Sequence, residues 1–286
     1  MSSGRAITVF SHARPAETDA AVRQLVEMAA ARDIAVRLDP DETRKHPEVA
    51  RLPGVVADAE IASDVDIAIA LGGDGTILRA LRRYAATSVP VFGVNFGEIG
   101  FLATVEREHA PEAFVQALAG EFETLTLPAI AIDHEGSATW AINDVAIHRR
   151  PGERVAELAY AIGDQEVGRV RCDGLVVATP AGSTGYNLAN GGPVLAWGVE
   201  GFVVSFIAPH SLTARALVVA PDDLLTVHNR SAGTVDVSID GRPAGELAAG
   251  ATVRIGFLRE AADLALLPGA TFYRRLRDTF GRLASS

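Results

Sequence analysis

The stretch VDIAIALGGDGT at 65–76 joins a run of apolar residues to a cluster of glycines. Its first part, Val65–Leu71, is rich in valine and isoleucine and predicts a buried strand. The next segment, Thr76–Ala86, places apolar residues on one face of a predicted helix. A strand that passes through glycines into a helix is typical of a domain in which helices connect parallel strands.

Strand-like and helix-like patterns alternate on both sides of that stretch. Strands are predicted at Ala6–Phe10, Ile34–Leu38 and Val89–Val94, and helices at Ala16–Ala31 and Pro111–Ala119. Because neighbouring parallel strands need a long crossover connection, usually a helix, we predict that residues 1–120 form an α/β domain with a parallel sheet.

Beyond Glu121, strand candidates follow one another with few helices between them. The dipeptides Gly163-Asp164 and Asp240-Gly241 indicate hairpin turns, which connect antiparallel strands. We therefore predict a second, β-rich domain over residues 121–268, and an amphipathic segment, 269–286, that returns to the first domain. The strand candidates are Leu127–Asp133, Thr139–His148, Glu157–Ile162, Glu166–Cys172, Leu175–Ala178, Gly201–Ile207, Leu224–Val227, Thr234–Ile239, Thr252–Leu258 and Leu264–Leu267.

The composition excludes several classes of protein. Of the 286 residues, 48% are hydrophobic and 22% are charged, which is typical of a globular protein and excludes wholesale disorder. The formal net charge of −10 argues against a general nucleic-acid binder, which needs a basic face. Lys45 is the single lysine and does not follow a glycine, so the G-K-[ST] of a Walker A loop is absent.

The sequence also predicts where the protein works. Cys172 is the one cysteine, which excludes an internal disulfide and suits a reducing compartment. No apolar run approaches the roughly 20 residues of a membrane-spanning helix, and Ala6–Phe10 is too short for the core of a signal peptide. We therefore expect a cytoplasmic protein without a membrane partner.

Asp74 is the unusual residue of the cluster Gly72-Gly73-Asp74-Gly75. Glycines before a helix let backbone N–H groups approach a pyrophosphate, and the helix N-terminus favours anions. A carboxylate there repels phosphate, so it indicates either a metal ligand or a base that accepts a proton from an attacking hydroxyl. The alternative without function is a tight turn in which Asp74 caps the helix.

A loop rich in glycine, serine and threonine follows the predicted strand Leu175–Ala178. Residues 179–187 read TPAGSTGYN and offer hydroxyl and N–H groups to a ribose or a phosphate, while Tyr186 offers a ring for stacking. The tetrapeptide GSTG is one residue short of G-x-S-x-G, which argues against a serine hydrolase. An ordinary loop of a β domain is the alternative.

Asn143 and Asp144 lie inside the predicted strand Thr139–His148, although both residue types are poor strand formers. An amide can hydrogen-bond an adenine or ribose edge, and a carboxylate can accept from ribose hydroxyls. The pair therefore indicates either a nucleoside-binding position or a β-bulge or strand end.

Five motifs together carry a resemblance to a known family: GGDGT at 72–76, NFGEIGFL at 95–102, INDVAIHR at 142–149, DGLVVATPAGSTGYNLANGGP at 173–193 and APHSLTAR at 208–215. In order and spacing they resemble the motifs of the NAD kinase family over nearly the whole chain. GGDGT alone is shared with diacylglycerol and sphingosine kinases and, more loosely, with phosphofructokinases, whereas those lipid kinases lack the 179–186 stretch. The sequence departs from the usual family pattern at Asp144, Ala181, Gly185 and Ala216, which bears on substrate preference more than on activity.

The resemblance implies a phosphotransferase with an alcohol acceptor: NAD and ATP give NADP and ADP, with Mg²⁺, by phosphorylation of the 2′-hydroxyl of the adenosine ribose. It also implies an N-terminal α/β domain, a C-terminal β-sandwich-like domain and assembly as a homodimer or homotetramer. Inorganic polyphosphate is an alternative phosphoryl donor. An NADH-preferring kinase and a lipid kinase of the same superfamily are alternative functions.

The resemblance also implies roles for particular residues. Asp74 corresponds to the catalytic base, and no residue is assigned as a metal ligand. The residues expected to bind NAD are Asp74, Gly75, Asn143, Asp144, Arg171, Asp173, Thr184, Gly185, Tyr186, Asn187, Leu188 and Ala189. Further contacts with phosphate or substrate are expected at Gly72, Gly73, Arg79, Arg154 and Arg242.

Overall fold

The structure, a computed structural model, describes residues 5–97, 100–134 and 137–284. Glu98 and Ile99 of the NFGEIGFL motif lie outside the described residues. The chain divides into two compact units. The first unit contains Met1–Thr126 and Ala262–Ser286, and the second contains Leu127–Ala261.

The first unit is an α/β domain with a parallel sheet, as the sequence predicts. Its strands are β1 (Ala6–Ser11), β2 (Ala35–Arg37), β3 (Val55–Val56), β4 (Ile67–Leu71), β5 (Val91–Asn95) and β6 (Val105–Glu106). They pair in parallel in the order β3-β2-β1-β4-β5, and β6 joins β5. The helices that alternate with them are α1 (Asp19–Ala30), α2 (Pro40–Lys45), α3 (Asp74–Tyr84) and α4 (Ala110–Ala119).

Burial explains why the central strands have nearly unbroken apolar sequences. Every residue of β1 and of β4 is buried, as in parallel strands that are covered on both faces. Helices α1 and α3 each bury one face, at the three- and four-residue spacing of an amphipathic helix. The buried residues of these faces are Val22, Leu25, Val26 and Ala29 in α1, and Ile77, Leu78, Ala80, Leu81 and Tyr84 in α3.

The parallel strands β1 and β4 end side by side at Ser11 and Leu71, which are register partners. Gly72 and Gly73 follow β4 at once and lead into α3. Ligands of open α/β sheets bind outside the carboxyl ends of the strands. The fold therefore places the glycine cluster at the sheet edge where a ligand is expected.

The second unit is β-rich. The remaining strands are β7 (Glu123–His134), β8 (Ser137–Ala141), β9 (Asp144–Arg149), β10 (Ala156–Ile162), β11 (Gln165–Cys172), β12 (Gly174–Ala178), β13 (Phe202–Ile207), β14 (Leu217–Val219), β15 (Leu225–Asn229), β16 (Val235–Ile239), β17 (Arg242–Leu247) and β18 (Thr252–Leu266). A short helix, α5 (Tyr186–Ala189), follows β12, and α6 (Phe272–Ala284) belongs to the first unit.

The strands of the second unit form two layers. One sheet has the order β14-β13-β12-β9-β16-β17. In the other sheet β10 pairs antiparallel with β11 and β15, and β15 pairs antiparallel with the first part of β18. Buried residues from both sheets, such as Val177 and Leu158, share one hydrophobic core. The predicted β-sandwich-like domain is confirmed.

The predicted single strand Thr139–His148 is wrong, because β8 ends at Ala141 and β9 begins at Asp144. The carboxylate of Asp240 causes this break, since it accepts hydrogen bonds from three successive amides, those of residues 142–144. Amides that bind a carboxylate are not available to a neighbouring strand.

The predicted strands Thr252–Leu258 and Leu264–Leu267 are also wrong as separate elements, because the structure has one 15-residue strand there, β18. The middle of β18 carries Arg259 and Glu260, which are exposed. These polar side chains interrupt the apolar pattern of the sequence, but the backbone continues as a strand through them.

A buried carboxylate, that of Glu42, lies beside the end of β1. Its oxygens accept hydrogen bonds from the Ser11 hydroxyl, from Lys45 at 2.9 Å and from Arg79 at 2.6 Å. Both cations also donate to the carbonyl oxygen of Ser11, and the buried ring of His46 lies 2.9 Å from the Ser11 hydroxyl. A buried carboxylate is stable only when it is paired and hydrogen-bonded. Helices α2 and α3 are therefore joined to the end of β1 by charge as well as by packing.

We predict that Glu42→Gln lowers the free energy of unfolding by about 1–3 kcal/mol, because it leaves two partly buried cations without their counter-charge. The matched control is Glu48→Gln. Glu48 pairs with Arg51 on the surface, where an ion pair contributes at most about 1 kcal/mol. Denaturant unfolding of the wild type and both variants measures the difference, and equal losses in the two variants would contradict the prediction.

Candidate functional site

Asp74 is the first residue of α3, and Gly73 occupies the cap position before it. The alternative in which Asp74 caps the helix is therefore wrong. The Asp74 carboxylate instead accepts hydrogen bonds from the backbone N–H groups of Phe101 at 2.8 Å and Leu102 at 3.0 Å. One carboxylate thus joins the start of α3 to the loop that follows β5.

Glycines leave the space that this arrangement needs. A Cβ at Gly100 would lie 2.5 Å from Oδ1 of Asp74, and a Cβ at Gly72 would lie 2.3 Å from the hydroxyl oxygen of Thr76. A Cβ at Gly75 would meet no atom within 4 Å, and this residue is exposed. The first N–H groups of a helix have no intrahelical acceptor and can bind an anionic oxygen. Such an oxygen can therefore approach the backbone at Gly75 from outside.

Burial raises the pKa of the Asp74 carboxyl above its ordinary value. The hydrogen bonds from Phe101 and Leu102 and the positive charge of Arg275 oppose this effect but do not cancel it. A raised pKa brings a carboxylate closer to the proton affinity that suits a general base near neutral pH.

Arg79, one turn further along α3, is engaged within the first unit. Its guanidinium donates to the buried Glu42 carboxylate and to the carbonyl oxygen of Ser11, and it lies over the ring of Phe10. Its Nε is buried and has no hydrogen-bond partner among the described residues. Contact with a phosphate would therefore compete with an existing ion pair.

In the second unit, the break between β8 and β9 presents Asn143 and Asp144. The Asp240 carboxylate accepts from the N–H of Asn143 at 2.7 Å and from that of Asp144 at 3.2 Å. The side-chain oxygen of Asn143 is buried and has no hydrogen-bond partner among the described residues. A buried acceptor without a partner costs free energy, so a donor group of a ligand would be bound favourably here.

The loop after β12 contacts this break directly. The N–H of Thr179 donates to the carbonyl oxygen of Asn143 at 2.9 Å, and the Thr179 hydroxyl donates to that of Ile142 at 2.6 Å. A Cβ at Gly182 would lie 2.0 Å from the carbonyl oxygen of Asn143, so only glycine fits there. The structure thus brings together two motifs whose contacting residues are 37 positions apart in the sequence.

The loop is helical in part, with a 3₁₀ turn at Gly182–Thr184 followed by α5. Buried Ser183 and Asn187 hold it in place: the Ser183 hydroxyl donates to Pro180 at 2.7 Å, and the Asn187 amide donates to the carbonyl oxygen of Ser183 at 2.9 Å. Two residues expected to bind NAD, Leu188 and Thr184, are half-buried. Three others are exposed, namely Gly185, Tyr186 and Ala189.

Asp144 lies close to this loop, since a Cβ at Gly185 would be 4.0 Å from its Oδ2. Burial, and secondly the charge of Asp240, raises the pKa of Asp144 to about 7. Although Tyr186 is exposed overall, partial burial raises the pKa of its hydroxyl, with smaller contributions from the charges of Asp144 and Asp173. The two predicted NAD contacts Asp144 and Tyr186 therefore interact electrostatically.

The other residues of the second unit that are expected to bind substrate are Asp173 and three exposed arginines. Asp173 accepts from Arg149 at 2.6 Å, and this hydrogen bond lowers the pKa of the Asp173 carboxyl. Arg171 on β11 and Arg242 at the start of β17 are exposed. Arg154 is also exposed, and with Arg149 it lines a cavity of 390 Å³.

Among the described residues, no group of three or more His, Cys, Asp or Glu side chains could hold a metal ion. The same part of the chain has no helix that is long and apolar enough to cross a membrane.

Family models match both units. The model of the ATP-NAD kinase N-terminal domain matches residues 13–122, and that of the ATP-NAD kinase C-terminal domain matches residues 142–265. The NAD kinase of Symbiobacterium thermophilum is 41% identical over 221 residues, which cover 75% of this chain and 78% of the relative. The NAD kinase of Rhodococcus jostii is 33% identical over 297 residues, which cover 96% and 92%.

Solved structures agree with this result. The crystal structure of an NAD kinase from Archaeoglobus fulgidus in complex with ATP is 26% identical, with a TM-score of 0.72 over 99% of each chain. Yeast NADH kinase, solved in complex with NADH, has the same fold at 21% identity, with a TM-score of 0.85 over 97% of this chain and 87% of that chain.

The fold and these matches define a kinase that transfers phosphate to an alcohol group. The chain belongs to the NAD kinase family.

Three residues that hydrogen-bond to the candidate site residues or to the loop that binds Asp74 are not identified from the sequence, namely Asp240, Arg149 and Arg275. Asp240 is recognisable only as part of a hairpin turn, Arg149 ends the INDVAIHR motif but receives no role from it, and Arg275 is an ordinary arginine by its neighbours in the sequence. The positive φ of Asp240, +47°, confirms the turn. Nothing in the local pattern indicates that its carboxylate binds amides 97 residues away.

We predict that Asp144→Asn changes how stability depends on pH. The pKa of Asp144 rises from its ordinary 3.8 to about 7 on folding. Between these values the folded state binds more protons than the unfolded chain, so the wild type loses stability as pH rises through this range. The variant lacks this loss and gains stability relative to the wild type between about pH 5 and about pH 8.

Thermal unfolding of the wild type and of Asp144→Asn, at about pH 5 and at about pH 8, measures this difference in stability. The matched control is Asp223→Asn, because Asp223 is exposed. A difference between Asp144→Asn and the wild type that stays constant with pH would contradict the raised pKa.

Proposed function

We propose that this chain transfers the terminal phosphoryl group of ATP to the 2′-hydroxyl of the adenosine ribose of NAD, giving NADP and ADP. The observation that carries the proposal is the Asp74 carboxylate, held by two amides at the start of a helix that begins in a glycine cluster. Phosphoryl transfer needs positioned groups and neutralised charge more than covalent catalysis. This arrangement supplies one base in a fixed position beside helix amides that can bind phosphate.

Asp74 acts as the base in this proposal. A free aspartate has a pKa of about 3.9, far below that of a sugar hydroxyl. Burial raises the pKa of Asp74 and so strengthens it as a proton acceptor. In a loose transition state the hydroxyl loses its proton late, when it is already more acidic, so a carboxylate is sufficient.

The second unit binds the adenosine part of NAD in this proposal. The unpartnered oxygen of Asn143 would accept from the amino group of adenine, and the buried Asp144 would accept from ribose hydroxyls. The proposed NAD contacts are Asp74, Gly75, Asn143, Asp144, Arg171, Asp173 and the residues of 184–189. The proposed contacts with phosphate or substrate are Gly72, Gly73, Arg79, Arg154 and Arg242.

We also propose Mg²⁺ as a cofactor. When bound, it would neutralise charge on the phosphates of the nucleotide. Mg²⁺ usually keeps several waters and takes one or two carboxylates plus substrate phosphates. The carboxylate that lies beside the glycine cluster is that of Asp74. Both oxygens of Asp74 already accept from amides, so the phosphates would provide most of the ligands.

A homodimer or homotetramer is the proposed assembly. Strands β11 and β14 are the terminal strands of their sheets, and each exposes a valine, Val167 and Val218. Terminal strands with exposed apolar side chains can pair with another chain. Light scattering on the purified protein measures the assembly, and a monomer at assay concentrations would contradict it.

The test of the function is an assay of the purified protein with NAD, ATP and Mg²⁺, in which an NADP-specific dehydrogenase detects the product. Parallel reactions replace NAD by NADH or by diacylglycerol, and ATP by inorganic polyphosphate. Formation of NADP from NAD is the expected result. Phosphorylation of NADH alone would make the protein an NADH-preferring kinase, and phosphorylation of the lipid alone would overturn the proposal.

We predict that Asp74→Asn lowers kcat by at least about 10²-fold, the scale of a general base, and leaves NAD affinity little changed. Asparagine has nearly the shape of aspartate but no basicity. Its single oxygen can accept from only one of the two amides that Asp74 binds, so circular dichroism must verify the fold. A folded variant with nearly normal kcat would leave Asp74 with a purely structural role.

We predict that Asn143→Ala weakens NAD binding by roughly 3- to 30-fold, because one lost hydrogen bond costs about 0.5–1.5 kcal/mol or more. Tyr186→Ala should also weaken binding, because its exposed ring would no longer be present for stacking. If one bound molecule couples the two residues, their effects are non-additive in the double variant. Calorimetric titration with NAD measures all three affinities. Unchanged affinity in both folded single variants would place the dinucleotide elsewhere.

A further inference from the structure

Arg275 lies on α6, and its side chain is only 11% exposed. Its Nε donates to the carbonyl oxygen of Gly100 at 2.8 Å, and its Nη2 donates to the same oxygen. Its Nη1 donates to Glu106 at 2.8 Å. All of these residues belong to the first unit. The guanidinium is therefore fixed in position by a backbone carbonyl and a carboxylate.

The Gly100–Phe101 peptide group connects Arg275 to Asp74. The carbonyl oxygen of this peptide accepts from Arg275, and its N–H donates to Oδ2 of Asp74 at 2.8 Å. A cation and a carboxylate are thus bound to opposite sides of one peptide group. Each hydrogen bond polarises the peptide and strengthens the other.

Two further contacts hold the same region. The ring of Phe280 on α6 packs against that of Phe101, with 5.5 Å between the ring centroids. Glu106, the partner of Arg275, also accepts from the side chain of Asn95 at 2.8 Å, and Asn95 accepts from the N–H of Gly97 at 3.0 Å.

Gly97 in turn packs against the glycine cluster, since a Cβ there would lie 3.1 Å from the Cα of Gly73. Hydrogen bonds therefore link Arg275 to Asp74 through the Gly100–Phe101 peptide. A second series of hydrogen bonds links Arg275 through Glu106 and Asn95 to Gly97, which packs against the residue before Asp74.

We propose that Arg275 is a positioning residue for phosphoryl transfer, which holds the Asp74 carboxylate in place through the Gly100–Phe101 peptide. The inference rests on the proposed function, in which Asp74 is the base. Arg275 belongs to none of the five sequence motifs, and its role follows from its contacts alone. A displacement of a reacting group by about 1 Å can cost about 10²-fold in rate.

The charge of Arg275 also acts on Asp74, because it opposes the rise in pKa that burial causes. On α3 itself, Arg79 is bound in its own ion pair. The described part of the neighbouring loop, 100–103, has no ionisable side chain, and Glu106 on β6 is paired with Arg275. Loss of the guanidinium charge would therefore raise the pKa of Asp74 further.

The experiment compares Arg275→Gln and Arg275→Lys with the wild type in the NAD phosphorylation assay. The matched control is Arg274→Gln, because the side chain of Arg274 is exposed on the same helix. We expect Arg275→Gln to lower kcat by about tenfold or more, to change the KM for NAD little, and to move the acid limb of the kcat–pH profile to higher pH.

Arg275→Lys keeps the charge but loses the planar fork, so we expect an intermediate kcat and an acid limb near that of the wild type. Arg274→Gln should match the wild type throughout. Thermal unfolding of every variant verifies the fold at the assay temperature.

A folded Arg275→Gln variant with normal kcat and a normal pH profile would overturn the inference, as would a loss of kcat without a shift of the acid limb. If that variant does not fold, Arg275→Lys decides, and a normal kcat there overturns the inference.

Asp74→Asn separates the two proposals. Its inactivity beside a normal Arg275→Gln would refute only the positioning role, whereas its full activity would refute the proposed base.

Discussion

The Asp74 carboxylate can occupy its place beside the glycine cluster because the amides of Phe101 and Leu102 bind both of its oxygens. A half-buried carboxylate without such partners would be unfavourable. This one requirement explains neighbouring features of the first unit. Gly100 must lack a side chain because a Cβ there would collide with Asp74. The same burial that requires the hydrogen bonds also raises the pKa of the carboxyl, so its position and its basicity have one origin.

In the second unit, the carboxylate that binds backbone amides has a structural role instead of a proposed catalytic one. Asp240 accepts from three successive amides and ends β8 before β9 begins, so it shapes the backbone that carries Asn143 and Asp144. Its negative charge adds to the effect of burial and raises the pKa of Asp144 to about 7. In both units an aspartate binds backbone amides. In the first unit that aspartate is the proposed reacting group, and in the second it positions other groups.

Much of the fold could be predicted because it depends on local patterns. The strands β1 and β4 are detectable since parallel strands buried on both faces have continuous apolar sequences. The family resemblance is confirmed by the family models and relatives. The predicted strand boundaries are wrong at two places, and at both of them polar residues interrupt an apolar pattern. Arg259 and Glu260 interrupt an apolar pattern inside the continuous strand β18, whereas at 139–148 the polar pair Asn143-Asp144 lies at a real break, in agreement with the alternative of a strand end.

The sequence by itself determined the α/β and β-rich regions, the glycine turn and the set of candidate residues, because apolar periodicity and short motifs are properties of neighbouring residues. Only the tertiary structure decided which group satisfies each buried carboxylate and amide. Asp240 and Asn143 are 97 residues apart, and Arg275 and Gly100 are 175 residues apart. A hydrogen bond between such residues depends on how the elements pack, and the local sequence pattern does not indicate which distant residues meet.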